Sequence, residues 1–228
     1  MVAATRQLGN GVYSLPEAAK LIGVKRPKLA AWFQGWPGGR EAIFSPEYNS
    51  SLSGKPTISF LDLVDASVAV MLREHVSTHT IRKLRGALVD LWKTHHPFGR
   101  QEFYTDDSGT RVFIEIAQEE DEESQFIEIL KRQHAMPSVL KPSLKHLEYS
   151  HETGFAERLQ LIDGVVIDPR RRYGKPIVVD SGVPTAVLFE AFKSSRENVD
   201  LVAAWYGVES EEVRAAVSFE TGFSGIAA

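Results

Sequence analysis

Apolar residues recur at helical spacing in residues 13–33, near the start of the chain. Ser14 followed by Glu17 forms a capping box, which predicts a helix start. Gly23 allows the left-handed backbone conformation that commonly ends a helix, and a second short helix is predicted from Pro27 onwards. Two short helices joined by a glycine turn are typical of a helix-turn-helix, whose second helix enters the major groove of DNA.

The second of these helices carries cations on its outer side. When its apolar residues face inward, four polar side chains are left outside. We expect these four to contact DNA: Lys25, Arg26, Lys28 and Gln34. A solvated helical hairpin, whose charges meet no ligand, is the alternative interpretation of the same pattern.

A second pair of helices is predicted at residues 58–72 and 78–93. Ser59 with Asp62 marks the start of the first helix, and the second helix has an amphipathic pattern. The outer face of that second helix carries three further cations, which we expect to contact DNA phosphates: Arg82, Lys83 and Arg85.

Two β-rich runs, residues 101–105 and 110–116, flank an Asp/Ser/Gly turn and predict a β-hairpin. Helices followed by such a hairpin resemble a winged helix-turn-helix, which we place at residues 1–117. Residues 118–160 begin with an acidic run and show little periodicity. We expect them to form an acidic linker that binds a partner protein, although an ordinary surface loop fits the same pattern.

Residues 161–228 are predicted to form a small C-terminal domain. Short strands are expected on either side of residues 168–176, and helices with a closing helix-turn-helix follow, with its turn at Gly207. The predicted fold class is therefore mainly α with a small β component (α+β).

The charge is unevenly distributed along the chain. Residues 1–100 hold 13 Lys and Arg against 7 Asp and Glu, whereas residues 101–228 hold 13 against 23. The net charge of −4 thus conceals a basic N-terminal half, which favours contact with phosphate, and an acidic C-terminal half.

Composition excludes several classes of protein. Hydrophobic residues make up 43% of the chain, enough for packed cores, and no apolar run is long enough to span a membrane. The absence of cysteine rules out disulfides, iron–sulfur clusters and thiolate zinc sites. The first residues lack the apolar segment of a signal peptide, so we expect a cytoplasmic protein.

The sequence gives little support to catalysis or to a bound cofactor. His75 and His79 have the i,i+4 spacing of metal ligands, but no third ligand with matching spacing follows. Phosphate-binding and nucleophile motifs are missing. We therefore expect no enzyme, no metal site and no cofactor.

The N-terminal motifs, S-L-P-E-A-A at residues 14–19 followed by I-S-F-L-D-L-V at residues 58–64, resemble the MerR-like DNA-binding modules of bacterial antitoxins. The C-terminal motifs resemble the small domain of VapB-type antitoxins: D-G-V-V-I-D-P, Y-G-K-P-I-V-V, G-V-P-T-A-V-L and A-W-Y-G-V-E-S-E-E-V-R-A-A-V. The chain departs from that family at Ser181 and Gly182, where the family often has Thr-Arg.

The resemblance implies the antitoxin of a type II toxin–antitoxin system that neutralises a PIN-type ribonuclease toxin and represses its own operon. It also implies that arginines block the acidic site of the toxin, for which the candidates are Arg158, Arg170, Arg171 and Arg172. Because one recognition helix reads only a few base pairs, we expect a homodimer on palindromic double-stranded operator DNA.

Two other functions stay open. A MerR-like transcription regulator without a toxin would usually carry a long dimerising coiled coil, and no sustained heptad follows residue 116. A protein–protein adaptor would use the same helices without binding DNA. The C-terminal helix-turn-helix, in its acidic setting, is expected to contact a protein rather than DNA.

Overall fold

The computed structural model describes residues 11–36, 38–39, 41–48, 56–122, 125–133 and 146–225. The described chain mixes helices and strands, with helices predominating, which agrees with the predicted α+β class. Among the described helices, none combines the length and the apolar character that a membrane crossing requires.

The N-terminal part is built on a short antiparallel pair of strands and four helices. The predicted caps form: the Ser14 hydroxyl accepts the Glu17 amide, and Ser59 and Asp62 make a complete capping box. The elements are β1 (Tyr13–Ser14), α1 (Leu15–Leu21), α2 (Arg26–Gln34), β2 (Thr57–Ile58), α3 (Phe60–Leu72) and α4 (Thr78–Trp92).

The predicted hairpin at residues 101–116 is wrong, because this segment forms helices α5 (Glu102–Thr105) and α6 (Asp107–Glu119). Asp106 caps α6 by accepting the Ser108 amide, so the Asp/Ser/Gly sequence starts a helix instead of turning a chain. Gly109 lies against the Trp92 ring, where a side chain would be tight, and thereby lets α6 pack closely on α4.

The middle of the chain contributes α7 (Gln125–Gln133) and then an antiparallel sheet. The sheet has the order β3-β4-β5-β6, with β3 (Leu147–Tyr149), β4 (Ala156–Ile162), β5 (Val165–Ile167) and β6 (Ile177–Val178). It has four strands, whereas the sequence predicted only short strands on either side of residues 168–176, and β4 runs through residue 160, where the sequence suggested a domain boundary.

Three helices close the chain: α8 (Thr185–Ser194), α9 (Val199–Tyr206) and α10 (Ser210–Gly225). Gly207 adopts the left-handed conformation between α9 and α10, as expected for a helix-turn-helix. A small apolar cluster, which includes Leu188, Val202 and Val213, holds the three helices together.

The larger apolar core joins the N-terminal helices to the sheet. It extends from Tyr13 and Trp32 through Phe113 to Val165, and it takes in Phe219 from α10. Helix α3 packs on β4, and α10 packs on β5 and β6. The sheet therefore lies between the basic N-terminal helices and the C-terminal helix-turn-helix, and both depend on it for burial.

Candidate functional site

The N-terminal helix-turn-helix consists of α1, a turn at Gly23 and α2. Gly23 has a φ of 68°, and no atom lies within 4 Å of the position of a Cβ there. The turn therefore needs glycine for its backbone conformation and not for space. Leu29, Trp32 and Phe33 bury one side of α2, as the apolar pattern predicted.

The opposite side of α2 is exposed to solvent. Lys25, Arg26 and Lys28 lie at its N-terminal end, and Gln34 is its last residue. Lys28 Nζ lies 5.4 Å from the centroid of the Trp32 ring, within the range of a cation–π contact. Within the described chain, no ion pair involves any of these three cations, so each is available to an anionic ligand.

The three cations predicted on α4 are exposed to different degrees and all have partners. Arg82 donates to the Glu41 carbonyl at 3.0 Å, and Arg85 donates to the His95 carbonyl at 2.7 Å. Lys83 is paired with Glu120, and this contact raises the pKa of Lys83. Burial lowers the pKa of Arg85. These side chains hold neighbouring segments against α4.

Arg158 and Arg170, two of the arginines expected at a toxin interface, are also occupied. Arg158 lies opposite Glu148 in the register of β3 and β4 and pairs with it at 2.9 Å; its other amino group lies 3.6 Å from Asp168. Arg170 pairs with Glu157 at 3.0 Å but keeps 59% of its side chain exposed. A partner could reach Arg170 more readily than Arg158.

Arg171 lies beside residues 181–182, where the chain departs from the family pattern. Its guanidinium lies over Gly182, where any side chain at position 182 would overlap it. The neighbouring Ser181 donates its amide and hydroxyl to Glu212, both at 2.9 Å. Gly182 thus leaves space for the guanidinium of Arg171 in the position that it adopts.

Residues 170–175, here named the arginine turn, have an unusual backbone. Arg172, Tyr173 and Gly174 have φ angles of 48°, 60° and 75°, which place three successive residues in the left-handed region. For the two residues that are not glycine, this conformation costs about 1–2 kcal/mol each. Tyr173 is nevertheless 79% exposed, so burial of its ring does not offset the cost.

Tyr13 holds the arginine turn against the N-terminal part. Its hydroxyl donates to the Gly174 carbonyl at 2.8 Å, across 161 residues of chain. Burial, followed by the negative charges of Glu17 and Asp168, raises the pKa of Tyr13, which keeps the hydroxyl protonated as a donor. This contact is not predictable from the sequence, since a long-range pair leaves no local pattern.

A buried charged cluster at His96 was also missed. His96 Nδ1 lies 3.5 Å from Asp65 and 3.8 Å from Asp62, and Nε2 lies 3.7 Å from Glu47. Burial lowers the pKa of His96, but the three carboxylates outweigh burial and raise it. In the described chain, no three acidic or histidine side chains are arranged to hold a metal ion.

The exposed side of α9 carries large apolar side chains. Trp205 is 57% exposed, and Leu201 and Tyr206 are also exposed, whereas Val202 and Ala203 face the small core. Exposed aromatic side chains of this size are typical of surfaces that bind other proteins. The A-W-Y-G sequence at residues 204–207 contains two of these aromatic residues. The spacing of apolar residues alone did not show which side of the helix is exposed and which is buried.

The described fold is thus a mixed α/β chain with two helix-turn-helix units, one basic and one acidic. No protein-family model matches the chain. Over 227 aligned positions it is 25% identical to a Mycobacterium tuberculosis protein named "Putative antitoxin VapB45", with 90% of this chain and 92% of that protein covered. This similarity supports the resemblance to VapB-type antitoxins.

A solved structure has a similar fold. The crystal structure of Rv2018 from Mycobacterium tuberculosis has a TM-score of 0.68 and 23% identity, and the match covers 90% of this chain and 96% of that chain. At this level of identity the similarity concerns the fold alone.

Proposed function

We propose that this protein is the antitoxin of a type II toxin–antitoxin pair and that it represses its own operon by binding operator DNA. The observation that carries the proposal is the similarity, over nearly the full length of both chains, to a protein named as an antitoxin. This function requires no catalytic group and no cofactor.

The exposed end of α2 supplies the DNA contacts in this proposal. Lys25, Arg26 and Lys28 neutralise phosphates, and the side chains of α2, Gln34 included, contribute base preference. Arg82, Lys83 and Arg85 contribute less, because each would first have to leave the partner that it has in the folded chain.

The C-terminal helix-turn-helix supplies the toxin contacts. Its exposed Leu201, Trp205 and Tyr206 provide apolar anchors, and Arg170 lies at the surface of the same half. A PIN-type ribonuclease holds metal with clustered carboxylates, which makes a cationic antitoxin side chain a suitable partner. A homodimer would place two copies of α2 on the two halves of a palindromic operator.

The test is fluorescence anisotropy with a duplex taken from the region upstream of the gene, titrated across salt concentration. We expect tight binding with log K falling by about 0.9 per phosphate contact for each unit of log salt, and weaker binding to a scrambled duplex. Absence of binding at low salt would remove the repressor function and favour the adaptor.

Co-expression with the product of the neighbouring gene tests the second half of the proposal. An antitoxin relieves the growth arrest that the ribonuclease causes, and it forms a stable complex with it. Specific operator binding without any neutralised toxin would instead favour a transcription regulator of MerR type.

A further inference from the structure

The arginine turn combines a strained backbone with exposed cations; another pair of successive left-handed residues other than glycine, Arg196 and Glu197, lies in the turn before α9. Two residues other than glycine, Arg172 and Tyr173, adopt left-handed backbone conformations in succession. Strained backbone of this kind is retained where the surrounding structure fixes it, and it clusters at sites that hold ligands. Tyr173 is directed into solvent, so the turn presents its side chains instead of burying them.

The turn has a fixed position beside the first helix of the basic unit. Tyr13 is buried, and it is followed directly by Ser14, the cap residue of α1. Its hydroxyl holds the Gly174 carbonyl, and a side chain at position 174 would overlap that hydroxyl. Tyr13 therefore connects the arginine turn to the start of α1.

Some cations of the turn contact other residues of the folded chain, and others are exposed to solvent. Arg170 is paired with Glu157, and Arg171 lies over Gly182. Arg172 and Lys175 are exposed, and no ion pair within the described residues involves either of them. Glu17, on the first turn of α1, and the buried Asp168 are the carboxylates whose charges act on Tyr13.

We propose that the arginine turn is a second DNA contact, in which Arg172 and Lys175 bind phosphates beside the site of α2. In a docked helix-turn-helix the first helix crosses the DNA backbone, and the hydrogen bond from Tyr13 to Gly174 places the turn beside the residue that precedes the cap of α1. The inference rests on the proposed repressor function.

A turn held by the hydrogen bond from Tyr13 has less conformational freedom to lose when it binds, which favours the contact. Phosphate contacts position a protein on DNA without reading its sequence. The arginine turn is therefore expected to strengthen binding to operator and to random-sequence duplexes by the same factor, in contrast to the side chains of α2 that reach base edges.

The experiment compares two double variants of the full chain, each of which removes two exposed cations. Arg172→Gln with Lys175→Gln tests the turn, and Lys193→Gln with Arg214→Gln on the C-terminal helices is the control. For the turn variant we expect the slope of log K against log salt to fall by about 1.8, equally on both duplexes. For the control variant we expect no change in slope.

A second variant tests the role of Tyr13 in positioning the turn. Tyr13→Phe removes only the hydroxyl that holds Gly174. We expect the loss of DNA affinity caused by Arg172→Gln to be smaller in the Tyr13→Phe background than in the wild type. Equal losses in the two backgrounds, at unchanged thermal stability, would show that Tyr13 does not position this contact.

The outcomes separate this proposal from the one on which it rests. If the wild-type protein binds no duplex at low salt, both the repressor function and this contact are overturned. If Lys25→Gln with Arg26→Gln weakens binding while the turn variant binds as the wild type does, the contact alone is overturned. A turn variant that keeps DNA binding but no longer neutralises a toxin would assign the turn to a protein partner.

Discussion

The two helix-turn-helix units of this chain have the same construction. In the first, Ser14 caps α1 and Gly23 makes the turn with a φ of 68°. In the second, Asn198 caps α9 through its side chain and Gly207 makes the turn with a φ of 64°. Both glycines have open space at the Cβ position, so the same backbone requirement selects both.

The units differ where the second helix begins. The first unit has Lys25, Arg26 and Lys28 at that place, and the second has acidic residues instead, including Glu209 and Glu211. A phosphate backbone is attracted to the first surface and repelled by the second. Because the two units share a backbone and differ in charge, we expect the charges at the start of the second helix, and not the fold of the motif, to determine what each unit binds.

Reversing the charges of the basic unit should have the largest effect. Lys25→Glu with Arg26→Glu is expected to weaken duplex binding at low salt by at least about 100-fold, because two attractions become repulsions. Anisotropy measures this directly. The matched change in the other unit, Glu209→Lys with Glu211→Lys, should leave operator binding almost unchanged; a comparable loss there would contradict the division of roles.

Removing the main apolar anchor of the acidic unit should have the next largest effect. Trp205→Ser is expected to weaken toxin binding by about tenfold or more, since exposed tryptophans in interfaces often contribute over 1.4 kcal/mol. Binding can be followed by calorimetry with the purified complex. Because the side chain is 57% exposed, thermal stability should change little. Unaltered toxin affinity would direct attention back to Arg170.

The two turn glycines allow a symmetrical test of stability. Gly23→Ala and Gly207→Ala should each destabilise the protein by about 1–2 kcal/mol, because only the left-handed backbone is strained and no neighbour is displaced. Urea unfolding measures the difference. Unequal values beyond about 0.5 kcal/mol would mean that the turns are not equivalent.

We expect the smallest effect at His96, which stabilises the basic part alone. Its pKa is raised in the folded state, so its contribution is complete below the ordinary histidine pKa of about 6.5 and is lost as pH rises through the raised value. Burial also raises the pKa of Asp65, so the ionisation of this carboxyl likewise lowers the stability of the folded state as pH rises.

The melting temperature of the wild type should therefore exceed that of His96→Gln by more at pH 6 than at pH 9. The attraction of the carboxylates is partly offset by the cost of burying the charges, which keeps the difference small. A difference that grows with pH would contradict this sign.

Local patterns predicted much of this structure, and long-range contacts were not predictable. The caps at Ser14 and Ser59 are short-range features that require no knowledge of the fold, and the helices that they start were predicted correctly. The hairpin at residues 101–116 failed because a glycine that fits a turn also fits a close helix contact. The cap at Asp106 and the contact of Gly109 with the ring of Trp92 both accompany the helix that forms here.

The candidate sites likewise combine local features that the sequence predicts with long-range contacts that it does not. The exposed side of α2 follows from the spacing of Leu29, Trp32 and Phe33, and its four polar residues are exposed as expected. The pairing of Arg158 with Glu148 depends on strand register, which the sequence does not reveal. Whether an arginine is available to a ligand was therefore beyond prediction.

The hydrogen bond between Tyr13 and Gly174 has a consequence for synthesis of the chain on the ribosome. Translation proceeds at roughly 5–20 residues per second. The 161 residues between donor and acceptor thus delay this contact by roughly 10–30 s after Tyr13 is made. During that interval the nascent basic helices lack both their anchor and the sheet against which they pack, so the basic unit reaches its final form only when most of the polypeptide has left the ribosome.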